Sequence, residues 1–437
     1  MQLPSAIANA ARRPVAVLGY GVSGQAAAAL LKQCGCAVEA YDEKPAPGVR
    51  GEFGPAEAKR HDLVVYSPGF RQDHPWLQAA RAAGAQCLGE LDFASLFWQG
   101  RLLAITGTNG KTTLTEFLAT ALRRQGLSAV PAGNIGHALS RLDDLADTAG
   151  RVAVCEISSF QAENLQYLRP QALLWTNFDE DHLDRYAELR DYFDAKWNLV
   201  ERLTEPKLIV GESVAQMATQ FGKKLPDFAQ VVRREGSRQL VPTGSIFDSY
   251  PQSENYLIAR AYWQLEGYPL NILEETAQSF STRRHRLARV ADWEGVSYWN
   301  DSKGTNFHAT LAALETFAQP VVWIGGGKSK GGDIEGFAAR AAARVREAFL
   351  IGETAGVLAA GLHQRGVAAT ICESLREAVH KAHEAGRHSV PAHVLFSPGF
   401  SSFDMFHDYA ERGLAFEQAV LGLKAARPGV MTEASPA

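Results

Sequence analysis

Residues 104–113 read AITGTNGKTT, an apolar run that leads into two glycines, a lysine and two threonines. The order predicts a strand, a glycine-rich turn and the first turn of a helix. Such a junction directs backbone N–H groups and the positive end of a helix toward one point, where polyphosphate is the usual ligand. Lys111 would reach the outer phosphates, and the hydroxyl of Thr112 would sit on the accompanying Mg²⁺. The alternative is a helix-capping turn beside a surface lysine, because a general P-loop would need glycine at Ile105.

The composition is that of a globular protein with mixed charge, and its 437 residues predict roughly three domains. The net charge of −4 and the lack of a basic block in the sequence speak against nucleic acid or an anionic membrane as a partner. No apolar stretch approaches the roughly 20 residues of a membrane span, and the N-terminus has no signal-peptide pattern. The five cysteines show no metal-site spacing, which is typical of thiols in a reducing compartment. We therefore expect a cytoplasmic protein, and a monomer.

Strands and helices alternate along the whole chain, which predicts mostly parallel sheets with helices on both faces. Three segments, each opening with a strand, cover residues 1–98, 99–282 and 283–437. We predict an α/β fold with three domains: a Rossmann-like N-terminal domain, a central domain of the P-loop ATPase type with a parallel sheet, and a C-terminal Rossmann-like domain.

Two glycine turns mark the first segment. Gly19, Gly21 and Gly24 follow a predicted strand in G-x-G-x-x-G spacing, and a second strand ends at Asp42. Taken alone, this order predicts a site for NAD or FAD, although any phosphate ester could use the same turn and helix. The SPG turn at 67–69 follows another strand, at the carboxyl edge where doubly wound sheets bind their ligands.

Glu156 and His182 follow buried strands of the second segment, in CEISSFQAE and NFDEDHLDRY. A carboxylate at a strand end beside a phosphate loop suits Mg²⁺, since this hard cation prefers oxygen ligands. Capping of the next turn is the alternative for Glu156. His182 lies among four acids and is a candidate metal ligand, although an acid-rich loop could instead be a solvated face.

Six motifs occur in the order AITGTNGKTT, GNIG, CEISSFQAE, TNFDEDHLDRY, NDSKGTN and SPGFSSFDMF. With these motifs the chain resembles the Mur ligases over nearly its whole length, and it is most similar to the D-glutamate-adding branch. The resemblance implies three domains, for a UDP-sugar, for ATP and for the incoming amino acid. It also implies that ATP phosphorylates the carboxylate of UDP-N-acetylmuramoyl-L-alanine, giving ADP and an acyl phosphate. The amine of D-glutamate then attacks, and a tetrahedral intermediate expels phosphate, in the synthesis of peptidoglycan precursors.

The resemblance assigns this chemistry to a few positions. Thr112 and Glu156 would serve one Mg²⁺ ion and His182 another, with Lys111 on the phosphates. Lys196 matches a lysine that the family carries as a carbamate, whereas its sequence context alone is that of an ordinary helix-surface lysine. Carbamate formation needs the neutral amine, which burial or neighbouring cations favour.

Further positions follow from the same resemblance. Those implied for the nucleotide are Gly107, Thr108, Asn109, Gly110, Lys111, Thr112, Thr113, Asn255, Arg286 and Asp301. Those implied for the UDP-sugar and glutamate are Val22, Ser23, Ser67, Gly69, Asn134, Ser158, Gln161, Lys303, Thr305, Lys330, Ser402 and Tyr409. Arg286 would reach the ATP phosphates, and Asp301 would hold the ribose. Lys330 and Ser402 would grip the carboxylates of glutamate.

Four departures from the family pattern stay open. Asp-Glu-Lys at 42–44 replaces the usual polar pair after the second strand, so the uracil contacts are not assigned. GGGKSKGGD is one residue longer than the usual loop, which leaves either Lys328 or Lys330 as the carboxylate ligand. Tyr409 stands where Phe is common in the family. Leu287 follows an HR pair where the family leads us to expect variation toward an acid.

Other functions remain alternatives. An L-glutamate-adding variant, another Mur ligase and folylpolyglutamate synthase share the chemistry, but the folate enzyme lacks the N-terminal domain that the glycine turn at 19–24 indicates. An NAD-dependent oxidoreductase would leave Lys111, Glu156 and His182 unexplained. A catalytically inactive binding protein is disfavoured, because all phosphate-loop and metal candidates are intact.

Overall fold

The computed structural model describes residues 1–141, 145, 147–233, 238–248, 251–281 and 285–425. The strands are β1 (Val15–Leu18), β2 (Val38–Tyr41), β3 (Val49–Arg50), β4 (Leu63–Tyr66), β5 (Gln86–Gly89), β6 (Arg101–Thr106), β7 (Ser128–Gly133), β8 (Arg151–Glu156), β9 (Ala172–Trp175), β10 (Leu208–Gly211), β11 (Gln230–Val232), β12 (Ala288–Trp293), β13 (Val296–Asn300), β14 (Val321–Gly326), β15 (Val345–Ile351), β16 (Ala368–Ile371) and β17 (Ala392–Phe396). The helices are α1 (Ser5–Ala8), α2 (Val22–Gln33), α3 (Pro55–Ala58), α4 (Pro75–Ala82), α5 (Glu90–Ser95), α6 (Lys111–Arg124), α7 (Ser159–Ala162), α8 (Leu189–Glu201), α9 (Glu212–Gln220), α10 (Gln252–Leu265), α11 (Leu270–Ser279), α12 (Phe307–Glu315), α13 (Ile334–Ala342), α14 (Ala355–His363), α15 (Leu375–Arg387) and α16 (Tyr409–Ala425).

Three sheets contain these strands. The first has the order β3-β2-β1-β4-β5 and the second the order β11-β10-β9-β6-β8-β7, and both are parallel. The third has the order β12-β13-β17-β14-β15-β16 and is parallel except for the β12–β13 pair. The predicted α/β fold with mostly parallel sheets is therefore confirmed.

The composition of the strands explains why parallel sheets form. VAVL in β1 and LVVY in β4 are buried at every position, as expected for strands covered on both faces. Helices between most consecutive strands supply the cover and make the long crossovers that parallel pairing requires. Within the described part of the chain, no helix is both long enough and apolar enough to span a lipid bilayer.

The chain divides into two compact units. Unit 1 comprises Met1–Phe178 and Arg185–Phe280 and contains the first two sheets. Unit 2 comprises Asp179–Asp184 and Ser281–Ala437 and contains the third sheet. A short acidic loop from the middle of the sequence thus packs with unit 2. The predicted segment boundary at 282/283 lies outside the described residues.

One hydrophobic core runs through both sheets of unit 1. Its buried side chains include Val17 in β1 and Ala104 in β6. The buried carboxylate of Asp92 adds a polar connection, because it accepts hydrogen bonds from the backbone N–H groups of Tyr167 and Leu168 at 2.9 and 2.8 Å. The segment boundary predicted at 98/99 falls inside this unit.

Candidate active site

The predicted phosphate loop lies between β6 and α6. Gly107 and Gly110 both have positive φ, 145° and 82°, which L side chains rarely adopt. A Cβ atom at Gly107 would lie 1.9 Å from Oγ1 of Thr176, so another residue would not fit. Gly110 precedes the first residue of α6, Lys111, so the loop delivers the chain directly to a helix N-terminus. This is the geometry that binds phosphate groups.

Two residues that follow β9 hold this loop in place. The backbone N–H of Asn109 donates to Oδ1 of Asn177 at 2.8 Å, and the backbone N–H of Thr108 donates to the Asn177 carbonyl at 3.0 Å. Oγ1 of Thr176 donates to the carbonyl of Asn109 at 2.6 Å. Sequence reasoning missed both supports, although Thr-Asn directly after a buried strand beside the loop was a usable signal.

Lys111 and Lys196 both contact carbonyl groups of the loop. Nζ of Lys111 donates to the carbonyls of Gly107 and Thr108 at 2.9 and 2.8 Å. Nζ of Lys196 donates to the carbonyl of Gly107 at 3.0 Å and lies 4.8 Å from the ring centroid of Tyr192. Only 1% of Lys196 is exposed, so the expectation of an ordinary helix-surface lysine is wrong. Lys196 is among the buried residues of α8, and its side chain contacts the phosphate loop.

Glu156 ends β8 and lies opposite Ile105 in the register of β6 and β8, two residues before the loop begins. It is 2% exposed, and its Oε1 accepts a hydrogen bond from Nδ2 of Asn134 at 3.1 Å. Its Oε2 is buried and has no hydrogen-bond partner within the described structure. A buried carboxylate oxygen in this state is a fitting ligand for a hard cation.

The candidate metal ligands do not provide a complete coordination shell from protein side chains alone. In the described ranges, no group of three or more His, Cys, Asp and Glu side chains is arranged to hold a metal ion. The other ligands of a cation at Glu156 would therefore be Thr112, phosphate oxygens or water, as is common for Mg²⁺ in nucleotide sites.

Asn255 lies directly beside the phosphate loop. This buried side chain on α10 is so close that a Cβ atom at Gly110 would lie 2.4 Å from its Oδ1. Its Nδ2 donates to Oε1 of Gln252 at 2.8 Å. Asn255 thus lies next to the nucleotide-binding candidates of the phosphate loop.

A pocket of unit 1 lies at the carboxyl edge of the first sheet. It is lined by residues that include the predicted Val22, Ser23, Ser67 and Gly69, together with Gly19, Gly21, Asp42, Glu43, Pro68, Phe70 and His74. Oγ of Ser67 donates to the carbonyl of Gly19 at 2.8 Å, which joins the two predicted turns. Gly24 is required for close packing, since a Cβ atom there would lie 1.8 Å from that same carbonyl oxygen. Asp42 accepts a hydrogen bond from the backbone N–H of Tyr20 at 2.6 Å, so this departure from the family pattern supports the turn.

Ser158 and Gln161 bond to each other. Ser158 caps the short helix α7: the backbone N–H of Gln161 donates to its Oγ at 3.3 Å, and its own N–H donates to Oε1 of Gln161 at 3.0 Å. Arg185, which sequence reasoning missed, connects this turn to the pocket of the first sheet. Its guanidinium pairs with Glu163 at 2.8 Å and donates to the carbonyl of Phe70 at 3.2 Å.

Unit 2 contains a cleft that gathers several predicted residues. His182, Thr305 and Lys330 line it, with Glu180, Asp181, Leu183, Asn306, Phe307, Gly331, Gly332, Gly399 and Phe400. Nζ of Lys330 lies 3.0 Å from Oδ1 of Asp181, and Nδ2 of Asn306 donates to Oδ2 of Asp181 at 3.0 Å. Lys328 is exposed and its backbone pairs with Ser401, so the structure places Lys330 and not Lys328 in the lining.

The charge of Asp181 is fixed by these neighbours. Burial alone would raise the pKa of its carboxyl, but the ammonium of Lys330 and the imidazole of His182 outweigh that effect. Together with the hydrogen bonds from Asn306 and Lys330, they hold the pKa of Asp181 well below its usual range. The cleft therefore presents an ammonium group that is paired before any ligand arrives.

Asp301 is also a buried acid, but its pKa is shifted upward, in the direction opposite to that of Asp181. Its Oδ2 accepts a hydrogen bond from Oγ of Ser397 at 2.7 Å, and its Oδ1 accepts one from the backbone N–H of Leu287 at 3.1 Å. Burial raises the pKa of Asp301 to about 7, against the attraction of Arg286 and Arg412. Leu287, the unexplained departure, has a φ of 47° and turns its N–H toward this acid.

The remaining candidates of unit 2 lie on two neighbouring segments. Nζ of Lys303 lies 3.8 Å from the ring centroid of Tyr409, so the aromatic ring at this position contacts a predicted site lysine. Oγ of Ser302, next to that lysine, donates to the carbonyl of Tyr409 at 2.8 Å. Ser402 is buried in the loop between β17 and α16.

Comparisons with known proteins show which family the chain is similar to. Residues 105–237 match the family described as the Mur ligase middle domain, and residues 285–398 match the one described as the Mur ligase, glutamate ligase domain. UDP-N-acetylmuramoylalanine–D-glutamate ligases from Caldanaerobacter subterraneus subsp. tengcongensis and Chromobacterium violaceum are 33% and 34% identical to the chain. The matches cover 94% and 95% of this chain and 98% and 99% of those relatives. The structure of the UDP-N-acetylmuramate-alanine ligase from Thermotoga maritima has the same fold, with a TM-score of 0.59 at 18% identity over 95% of this chain and 100% of that one.

Proposed function

The chain belongs to the Mur ligase family, and on this premise we propose that it joins D-glutamate to UDP-N-acetylmuramoyl-L-alanine, converting ATP to ADP and phosphate. Relatives that carry the name of this activity match nearly the full length of the chain at about one third identity. The observation that carries the proposal is the phosphate loop, with Glu156 held in register beside it and its Oε2 lacking a hydrogen-bond partner in the described structure.

The first step is phosphoryl transfer. A carboxylate oxygen of the muramoyl-alanine substrate attacks the γ-phosphorus, the bond to the bridging oxygen breaks, and ADP leaves. Catalysis of this kind depends on positioning and on neutralising phosphate charge. Lys111 would turn from the carbonyls of Gly107 and Thr108 toward the phosphates, and the N-terminus of α6 would supply backbone N–H groups.

The second step forms the amide. The neutral amine of D-glutamate attacks the acyl carbon, loses a proton, and the tetrahedral intermediate expels inorganic phosphate. Lys330 and Thr305 line the cleft of unit 2. Lys330 and Ser402 are the proposed ligands of the glutamate carboxylates, and Thr305 is proposed to lie near the bound glutamate. The carboxylate would share the ammonium of Lys330 with Asp181, whose charge fixes the ammonium in position.

We extend the proposal to Mg²⁺ and to a carbamate on Lys196. Bound at Glu156 and Thr112, Mg²⁺ would neutralise charge on the transferred phosphoryl group. His182 is the proposed ligand of a second ion. Lys196 is buried and lies against the loop, so a carbamate there would present oxygen atoms next to the phosphate site.

The setting of the reaction is part of the proposal. All five cysteines are free thiols, which supports a reducing compartment, and we place the enzyme in the cytoplasm as a monomer. The pocket of the first sheet, with Val22, Ser23, Ser67 and Gly69, is the proposed site of the UDP group.

An ADP-release assay tests the proposal directly. We expect sustained ADP release, over many turnovers, only when UDP-N-acetylmuramoyl-L-alanine and D-glutamate are both present with Mg²⁺ and ATP. UDP-N-acetylmuramate with L-alanine, and L-glutamate in place of D-glutamate, are the matched controls. Faster ADP release with either control would assign the chain to another member of the family, and none with any pair would contradict a ligase.

A further inference from the structure

Arg412, on the first turn of α16, is almost completely buried, with 1% of its surface exposed. Its Nε donates to Oγ of Ser302 at 3.1 Å, and its Nη2 donates to the carbonyl of Ser302 at 2.9 Å. Nη1 and Nη2 both donate to the carbonyl of Phe400 at 3.1 Å. One guanidinium therefore joins two loops that are about a hundred residues apart in sequence.

These contacts are unusual for a buried cation. Burial lowers the pKa of Arg412 to about 10, with Asp404 and Asp301 the acids whose charges oppose the shift, so the group still carries its proton near neutral pH. Its described hydrogen bonds go to carbonyl and hydroxyl oxygens. Burying a charge that is satisfied by neutral groups is costly to folding, and an apolar side chain of similar volume would often pack as well. The planar fork of guanidinium can bond two loops at once, which an apolar side chain cannot do.

Both loops carry candidate site residues. Ser302 lies between Asp301 and Lys303, and its Oγ also donates to the carbonyl of Tyr409. Phe400 lines the cleft that contains Lys330 and is followed by Ser401, whose backbone pairs with Lys328. The separation of the two loops thus sets the distance between the nucleotide and glutamate candidates of unit 2.

We propose that Arg412 is a positioning residue for the ligase reaction: it fixes the loops at Ser302 and Phe400 relative to each other without touching substrate. This role rests on the proposed function, because it assigns glutamate and the nucleotide ribose to unit 2. Loss of the fork should impair binding of these two ligands and leave binding of the UDP-sugar, assigned to unit 1, unchanged.

Arg412→Lys tests this, since an ammonium keeps the charge but lacks the planar fork that bonds both carbonyls. We expect KM for D-glutamate and for ATP to rise at least about tenfold, while KM for UDP-N-acetylmuramoyl-L-alanine stays within about twofold. Arg346→Lys is the matched control, because Arg346 in the same unit donates to a backbone carbonyl, that of Ala385, at 3.2 Å. That variant should behave as wild type in all three KM values.

Ser302→Ala gives a second measurement if Arg412→Lys does not fold. It removes one acceptor of the fork and should raise the same two KM values by about twofold to fivefold. Equal changes in all three KM values, or a lower Tm with unchanged KM values, would overturn the positioning role. Failure of the wild type to release ADP with D-glutamate would instead refute the proposed function, and would be seen before any variant is compared.

Discussion

The phosphate loop of unit 1 and the cleft of unit 2 both hold lysines, but with different partners. Lys111 and Lys196 donate to loop carbonyls, whereas Lys330 is paired with the carboxylate of Asp181. A carbonyl carries no net charge when its lysine turns away, but a buried carboxylate would be left uncompensated. Lys330 is therefore suited to fixed recognition of an anion.

The largest effect should come from Lys111→Ala. If this lysine leaves the carbonyls to neutralise phosphate charge, its loss should lower the rate of ADP formation by about a thousandfold or more. The Tm should change little, because the loop is also held by Asn177 and Thr176. Lys328→Ala, at an exposed position, is the control and should keep the wild-type rate. Near-normal turnover by folded Lys111→Ala would contradict a role of this lysine in neutralising phosphate charge.

Lys196→Ala should lower ligation by about a hundredfold, since the proposed anionic oxygen donor beneath the loop is lost. Acetate or formate added in solution should occupy the vacated space and restore part of the rate. The measurement is the initial rate of the variant with and without the added acid, with wild type treated identically. Wild-type activity in the unsupplemented variant would remove Lys196 from the mechanism.

Lys330→Ala should raise KM for D-glutamate by about tenfold, the value of one charge-assisted hydrogen bond, and should change kcat less. The KM for the UDP-sugar should not change. Lys328→Ala in the same loop distinguishes the two lysines that the motif left open. A larger rise in KM for glutamate in Lys328→Ala than in Lys330→Ala would reverse the assignment.

The smallest effect concerns the stability of unit 2 as a function of pH. The pKa of Asp301 is raised from 3.8 to about 7, so the folded state favours the protonated acid. Its stabilising contribution is complete below pH 3.8 and is lost as pH rises through about 7. Asp301→Asn cannot ionise, so its free energy of unfolding should rise relative to that of wild type across this window, by at most about 1.4 kcal/mol per pH unit. Its Tm should rise relative to that of wild type over the same pH range. Parallel Tm curves for the two proteins would contradict the raised pKa.

The features best predicted from the sequence are those that depend on residues close together in the chain. The loop from Gly107 to Lys111 follows from local order, because strand, turn and helix are fixed by apolar runs and by glycines with positive φ. Burial of Lys196 was not predictable from its own helix, since it depends on how α8 packs beneath a loop about 90 residues earlier. Arg412 was missed for the same reason: its partners Ser302 and Phe400 are brought together only by the completed third sheet.

The shared core of unit 1 has a consequence for how such chains can be recombined. Val17 of the first sheet and Ala104 of the second belong to one buried cluster, and the Asp92 carboxylate joins the same two regions. A cluster of this kind is expected to unfold cooperatively, as one block. Exchanging the first sheet for that of a relative with another nucleotide-sugar specificity would therefore produce a stable hybrid only if the matching core residues of the second sheet were exchanged with it.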